Sequence, residues 1–509
     1  MKATVPRKLD DRKRRIARRL DKTKLGDCSR PMFTARNIQY ELSDRSRGIA
    51  HGGIGAMHVL ARQLGLIDAI DDRLHLLTIH LPYHESDHVL NFAYNALCDG
   101  TCLQDIERRR NDAVFLDALG ARRIPDPTTA GDFCRRFTDT DVQTLQDVFD
   151  DIRIKVWARQ PAAFFEQATI DMDGTLVATT GACKQGMDIA YDGTWGYHPL
   201  VLSLANTREV LRVVNRSGNR PSHEGAAEQV DRAVAVCFRG GFRRVRLRGD
   251  TDFSQTAHLD RWNADGRIDF IFGYDSRPNL EARAADLPEH AWRPLPRLPR
   301  YTVQTRPRQR PDRVKEQVVV ERQFENQRLQ SEEVAEFDYR PAACKDTYRM
   351  VVVRKNISVE RGERALFDRI VYFFYLTNDW GPEAAEVVRT AHGRCDQENL
   401  LAQLHGGVRA LTAPVDSLVS NWAYMVMTAL AWNLKAWWAL ALPEPAGRWA
   451  ERRREEKTWV LGLEFKAFLA AFVRLPCQVI RTGGKLVYRL LGWNPHLSIF
   501  FRLTSALRC

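Results

Sequence analysis

The 509-residue sequence predicts an α/β protein: an α/β core with a β-rich insertion, an all-helical N-terminal domain before it and a helical C-terminal region after it. Three observations predict this arrangement. Across 51–160 apolar residues recur with helical period, as in IGAMHVLARQLGLIDAI and DVQTLQDVFDDIRIKVW. At Ala168 the pattern changes to short β-type runs between turn residues: ATIDMDGTLVATTG, HPLVLSLAN, EVLRVVNRSG, RRVRLRGD and RIDFIFGYD. A helical stretch, EGAAEQVDRAVAVCFRGG, falls between the third and fourth runs, and strands joined through a helix belong to a mixed sheet.

Taken in order, residues 1–45 are a basic arm, rich in Arg and Lys and poor in apolar positions. Such an arm is either a solubilising tail or a segment that orders along phosphates. Residues 46–160 make the helical domain, in which PDPTTAGDFCRRF reads as a loop delivering Thr128 or Thr129 as a helix cap, with Arg135 and Arg136 on the helix. A DNA-contacting helical hairpin and a purely structural cap both fit that segment. Residues 161–275 hold the first part of the α/β core.

Across 276–345 the chain turns Pro- and Arg-rich, as in AWRPLPRLPRYTVQTRPRQRP, which reads as an insertion with strands of its own. The core resumes over 346–445 with YRMVVVRKN and RIVYFFYLTN, followed by PEAAEVVRTAHGRCDQENLLAQLHGG, a helix that opens on Pro. The stretch 422–442 approaches membrane-span length, yet it carries Asn433 and Lys435 and reads as a buried core helix. Residues 446–509 form a basic C-terminal region with a strand-like tail.

A formal charge of +12 and a pI near 9.3 point to polyanionic partners, nucleic acid before membrane. The basic start has no apolar run behind it, so neither a secretory signal nor an anchor is expected, and the expected location is the cytoplasm. Ten cysteines without a CxxC pair suggest reduced thiols rather than a disulfide framework or zinc ribbon. His80, His84 and His88 recur every four residues, but Pro82 interrupts any helix between the first two, so surface placement is the expectation. Trp262, Trp292 and Trp422 are expected to pack in the core rather than to stack on an extruded base.

Cleavage of a phosphodiester by two metal ions needs carboxylates converging from rigid elements, because hard oxygen ligands suit magnesium. Asp173 in TIDMDGT and Asp250 in VRLRGDT both stand at the ends of apolar strands. A lone strand-end Asp is usually a turn or helix cap. In HGRCDQENLLAQL, Arg394 and Glu398 are four apart, which puts a guanidinium and a carboxylate on one helical face, an arrangement that also describes an ordinary surface ion pair. Asp396 points to another side than Glu398. Asp171 shares a strand side with Asp173, and Asp173, directly before Gly174 and Thr175, is preferred. Asp252, two beyond Asp250, is placed outside the ligand set.

The order DMDGT, RGDTDFSQT and RCDQENLLAQL, with a β-rich stretch before the last, resembles the DDE transposases of bacterial insertion sequences, close to the insertion-sequence 1380 family. The resemblance runs over about 171–407. It implies an RNase H-like catalytic domain, two Mg²⁺ ions with Mn²⁺ as a substitute, and cut-and-paste cleavage and strand transfer of the element's own DNA. On it, Asp173, Asp250 and Glu398 are the catalytic residues and metal ligands. Related transposases surround that Glu with Tyr-x2-Arg-x3-Glu-x6-Lys. This chain keeps Arg394 and Glu398 but has Ala391 and His405 at the outer positions, which puts the DNA-backbone contacts in doubt.

The DNA contacts to expect are Arg394, His405, Arg135 and Arg136. The implied partners are double-stranded DNA, both terminal inverted repeats and target, and a second copy of the chain in a synaptic homodimer. No membrane partner is implied, and in a bacterium the protein would associate with the nucleoid when on DNA.

Two rivals remain at this level. DMDGT also fits the DxDGT motif of haloacid dehalogenase-type phosphatases, with Asp171 as nucleophile and Asp173 as general acid/base, though no clear downstream lysine motif accompanies it. A catalytically inactive DNA-binding relic is the other, and the presence of all three acids argues against decay.

Overall fold

The computed structural model describes residues 4–21, 35, 38–40, 46–181, 183–297, 314–361, 364–444 and 447–507. Most of the basic arm beyond its first helix, and the Pro- and Arg-rich stretch at 298–313, lie outside the described residues. The chain divides into two compact units: Ala163–Gly174 with Pro221–Glu398, and Met1–Ala162 with Thr175–Arg220 and Asn399–Cys509.

The first of these units is a mixed sheet. Its long strands are β1 (Gln167–Gly174), β2 (Arg244–Gly249), β3 (Ile268–Tyr274), β4 (Glu325–Tyr339), β5 (Tyr348–Arg361) and β6 (Arg364–Thr377), in the spatial order β4-β5-β6-β3-β2-β1, and the two-residue strand Arg293–Pro294 pairs with the outer edge of β4. The two pairs β1/β2 and β2/β3 are parallel. This is why β3 reads IDFIFGY, a nearly unbroken apolar run: crossover helices cover parallel strands on both faces. Among those helices, α1 (Ala226–Arg239) turns Val230, Ala233, Val234 and Cys237 inward, and α2 (Thr256–Ala264) contributes Leu259 and Trp262.

From β3 the sheet continues antiparallel. β6 pairs with it from Phe374↔Tyr274 to Thr377↔Ile271, and β4, β5 and β6 form a long meander. The insertion expected over 276–345 thus contains helices Pro278–Ala285 and Val314–Glu321 and the whole of β4. On one face of the meander α3 (Ala384–His392) buries Val387 and Val388 against Ile271, Val334, Val351 and Val353. That apolar contact fixes where the chain leaves α3 for α4 (Cys395–Ala402).

In the other unit, helix Leu418–Leu440 is buried almost all round, as its apolar sequence requires, and is capped by Ser417, whose hydroxyl accepts from the Ser420 N–H. Helices Ile54–Gln63, Glu85–Leu97, Pro127–Cys134, Asp139–Trp157 and Ala450–Gly462 pack against it, as does strand Glu209–Val214. The cap of helix Pro127–Cys134 differs from expectation. Asp126, not Thr128 or Thr129, takes the cap and accepts from the Thr129 N–H at 2.9 Å, because Pro127 at the first helical position needs no acceptor.

The strand-like tail is also shorter than its apolar text suggests. KTWVLG completes helix Ala450–Gly462, and only Cys477–Thr482 and Lys485–Leu490 form a hairpin, closed by Gly483 and Gly484 at positive φ. Trp262, Trp292 and Trp422 are buried, and no helix among the described residues is long and apolar enough to cross a membrane.

Candidate active site

Three elements of the sheet unit end at one place. β1 delivers Asp173, the turn after β2 delivers Asp250, and the α3–α4 junction delivers Arg394 and Glu398. Arg394 is the common neighbour: its Nη1 lies 3.1 Å from Asp173 Oδ2 and 3.9 Å from Asp250 Oδ2, and its Nη2 lies 3.8 Å from Glu398 Oε1. Three carboxylates therefore surround one guanidinium.

Local sequence explains each position. Asp250 caps the turn Thr251–Phe253 by accepting from the Asp252 N–H at 3.1 Å, which fixes its carboxylate and leaves Asp252 exposed beside it. That turn lies flat on β3, where a Cβ on Gly273 would stand 2.9 Å from Thr251 N. Arg394 and Glu398 do not share one continuous helix as their spacing suggests. α3 stops at His392, Gly393 turns the chain, and α4 restarts at Cys395, so Arg394 occupies the break. A side chain at Gly393 would collide with Arg248.

Behind the carboxylates lies a second ion pair. Asp171, buried in β1, receives Arg248 Nε at 2.6 Å and Nη2 at 2.7 Å, while Arg248 Nη1 donates to the Thr390 carbonyl at 2.7 Å. Both Asp171 oxygens are thus engaged, whereas the phosphatase reading needs a free nucleophile there. Asp171, Arg248 and Thr390 stand two, two and four residues before Asp173, Asp250 and Arg394. One guanidinium therefore ties together all three elements that carry the site. Sequence reasoning passed over Arg248, because in RVRLRG the arginines alternate with Val245 and Leu247 as they would on a solvent-facing side of a strand, and only the structure shows that Arg248 is buried.

The electrostatics follow from burial. Asp173 is pushed up to about 7, chiefly by desolvation; the Arg394 guanidinium pulls it back down, while the Asp250 and Glu398 carboxylates raise it further. Asp250 is raised for the same first reason. One positive charge against three carboxylates leaves the site short of cation.

The other expected contacts lie in the helical unit. His405 sits in the π turn Gln403–Gly407, so the helical spacing from Glu398 does not carry through to it. Its Nε2 shares a 2.9 Å hydrogen bond with Thr175 Oγ1, and burial lowers its pKa. Arg135 is held by Asp416 at 3.0 and 3.1 Å and by Asp132 at 2.8 Å, and Arg136 is exposed. His80 stacks on His84 and bonds Glu85, whereas His88, against the expected surface placement, is buried and stacks on Phe133.

Among the described residues no group of three His, Cys, Asp or Glu side chains stands close enough to hold a metal ion as placed. Arg394 lies between the acids instead. Three carboxylates with unbalanced negative charge are hard oxygen donors, of the kind that suits divalent cations such as Mg²⁺, Mn²⁺ or Ca²⁺.

The family model described as "Transposase DDE domain group 1" matches residues 44–453. Comparison with curated proteins finds no match. Among solved structures, the cryo-EM structure of a piggyBac transposase synaptic complex with hairpin DNA is similar at 10% identity and a TM-score of 0.36, covering 83% of this chain and 82% of that one.

Proposed function

The chain belongs to the family of transposases with a DDE domain of group 1, and from that premise we propose that it cuts and joins DNA at Asp173, Asp250 and Glu398. The proposed reaction is cut-and-paste movement of a bacterial insertion sequence of the insertion-sequence 1380 type, on an RNase H-like core. The observation that carries the assignment is the gathering of these three carboxylates around Arg394, each within 3.9 Å of its guanidinium.

Asp173, Asp250 and Glu398 would hold two Mg²⁺ ions. When bound, such ions supply Lewis acidity for activating the attacking water or 3′-hydroxyl and for stabilising the departing oxygen. The protein's own contribution is rigidity and charge. β1 and the capped turn after β2 hold two carboxylates in fixed directions beside Arg394 Nη1, and α4 presents the third beside its Nη2. Arg394 itself suits a bidentate grip on a backbone phosphate.

Basic residues of the arm, the helical region and the Pro/Arg-rich insertion would supply non-specific phosphate contacts, with Arg135, Arg136 and His405 among the DNA neighbours. Two copies of the chain would pair the element's two ends. Bound to such DNA, the protein would reside in the bacterial cytoplasm at the nucleoid.

The test uses purified full-length protein and linear DNA that carries the coding region with its flanks. Mg²⁺-dependent cuts at short inverted repeats bordering the gene are expected. Asp173→Asn, Asp250→Asn and Glu398→Gln should each lower cleavage by orders of magnitude while leaving repeat binding intact. Full cleavage by Glu398→Gln would refute the assignment.

A further inference from the structure

Arg394 departs from what a simple phosphate contact would require. Its guanidinium is about one-fifth exposed and points into the cluster, with one close ion pair, to Asp173, and two long ones, to Asp250 and Glu398. A guanidinium is planar and charged at every working pH, so it can offset carboxylate repulsion but cannot replace a hard cation. Its backbone lies at the α3–α4 break, beside Gly393, rather than within a helix.

We propose that Arg394 is a resident counter-ion: it holds the three carboxylates together in the metal-free protein, and divalent cations displace it as they enter. The inference rests on reading Asp173, Asp250 and Glu398 as the metal ligands. Its consequence is a built-in competition. Metal must break the Asp173 pair to bind, so the free protein takes up cations more weakly than the bare carboxylates would. The displaced guanidinium then carries an unpaired charge at the rim of the site, where a DNA phosphate is its natural partner. Metal loading and phosphate capture thereby reinforce one another through a single side chain.

The experiment is a Mn²⁺ titration of DNA-free, full-length protein, followed by calorimetry and by the loss of the free-ion electron paramagnetic resonance signal. Arg394→Gln should bind Mn²⁺ roughly tenfold more tightly than the wild type, the scale of one charge-assisted hydrogen bond. Arg394→Lys, which keeps a displaceable cation, should stay near wild type. Arg394→Met serves the same comparison as Arg394→Gln should the latter fail to fold, with thermal unfolding as the check.

Equal or weaker Mn²⁺ binding by the neutral variants would overturn the counter-ion role alone, provided Asp173→Asn abolishes binding. Unchanged Mn²⁺ binding by Asp173→Asn would instead overturn the metal-site reading, and this inference with it.

Discussion

Arg248 and Asp171 stand opposite one another in the parallel register of β1 and β2 and close a two-pronged ion pair at 2.6 and 2.7 Å. Replacing Arg248 by Met strands a buried carboxylate, so a loss of about 3–5 kcal/mol is expected, read as a lower urea midpoint. Asp171→Leu combined with Arg248→Met removes both charges and should recover most of that loss. It still lacks the tether to the Thr390 carbonyl, so DNA cleavage should stay depressed although the fold returns. Cleavage recovering in step with stability would show that the pair only stabilises the fold.

Gly273 faces the turn that aims Asp250. Gly273→Ala introduces a Cβ 2.9 Å from Thr251 N, with backbone rather than a flexible side chain in the way. A cost of about 1–3 kcal/mol is expected, with a cleavage defect larger than Asp269→Asn, a change in the same strand away from the turn, produces. A wild-type cleavage rate in Gly273→Ala would mean the turn can shift without moving the carboxylate.

Lys435 is buried in helix Leu418–Leu440 and donates to the Leu461 carbonyl at 2.9 Å. Burial, and secondarily Arg208, lowers its pKa from 10.5 to about 7. Between those values the unfolded chain holds a proton that the folded chain has lost, so stability should rise with pH across about 7 to 10.5 and be lowest below 7. Lys435→Met should remove that slope. Urea midpoints at pH 6.5 and 9 measure it, and a wild-type minus variant difference that is the same at both would contradict the assignment.

Glu209, wholly buried, accepts from Trp157 Nε1 at 2.8 Å, Trp437 Nε1 at 2.7 Å and Thr207 Oγ1 at 2.6 Å. Glu209→Ala leaves three buried donors unsatisfied and should cost about 3 kcal/mol or more. Glu209→Gln should lie between, because an amide accepts with only one of its two termini. Tryptophan fluorescence during unfolding reports both.

Much of this was legible in the residues. β1 and β3 announce themselves as apolar runs between turns and β2 as an alternating run, and Asp173 and Asp250 stand at the ends of β1 and β2. The buried helix 418–440 was legible because two polar residues in a long apolar stretch suit a protein core better than lipid. The break at Gly393 was not legible: AAEVVRTAHGRCDQENLLAQL keeps helical spacing on both sides, and only the structure shows that a side chain there would have to push aside the Arg248 guanidinium. Nor could Asp171 be matched with Arg248, because the register between two parallel strands separated by a helix is set by packing. The Asp126 cap was missed in favour of Thr128 or Thr129 for a local reason, since Asp126 before Pro127 satisfies the helix start first.

Helix Leu418–Leu440 has a consequence for biogenesis. Helices Ile54–Gln63, Glu85–Leu97, Pro127–Cys134 and Asp139–Trp157 pack against a segment that leaves the ribosome hundreds of residues later. During synthesis the early helices therefore wait with greasy surfaces uncovered, while the sheet unit, its segments all ending by Glu398, can close first. Chaperone demand should peak in that interval, and ribosome-stalled chains ending before 418 should be the protease-sensitive ones.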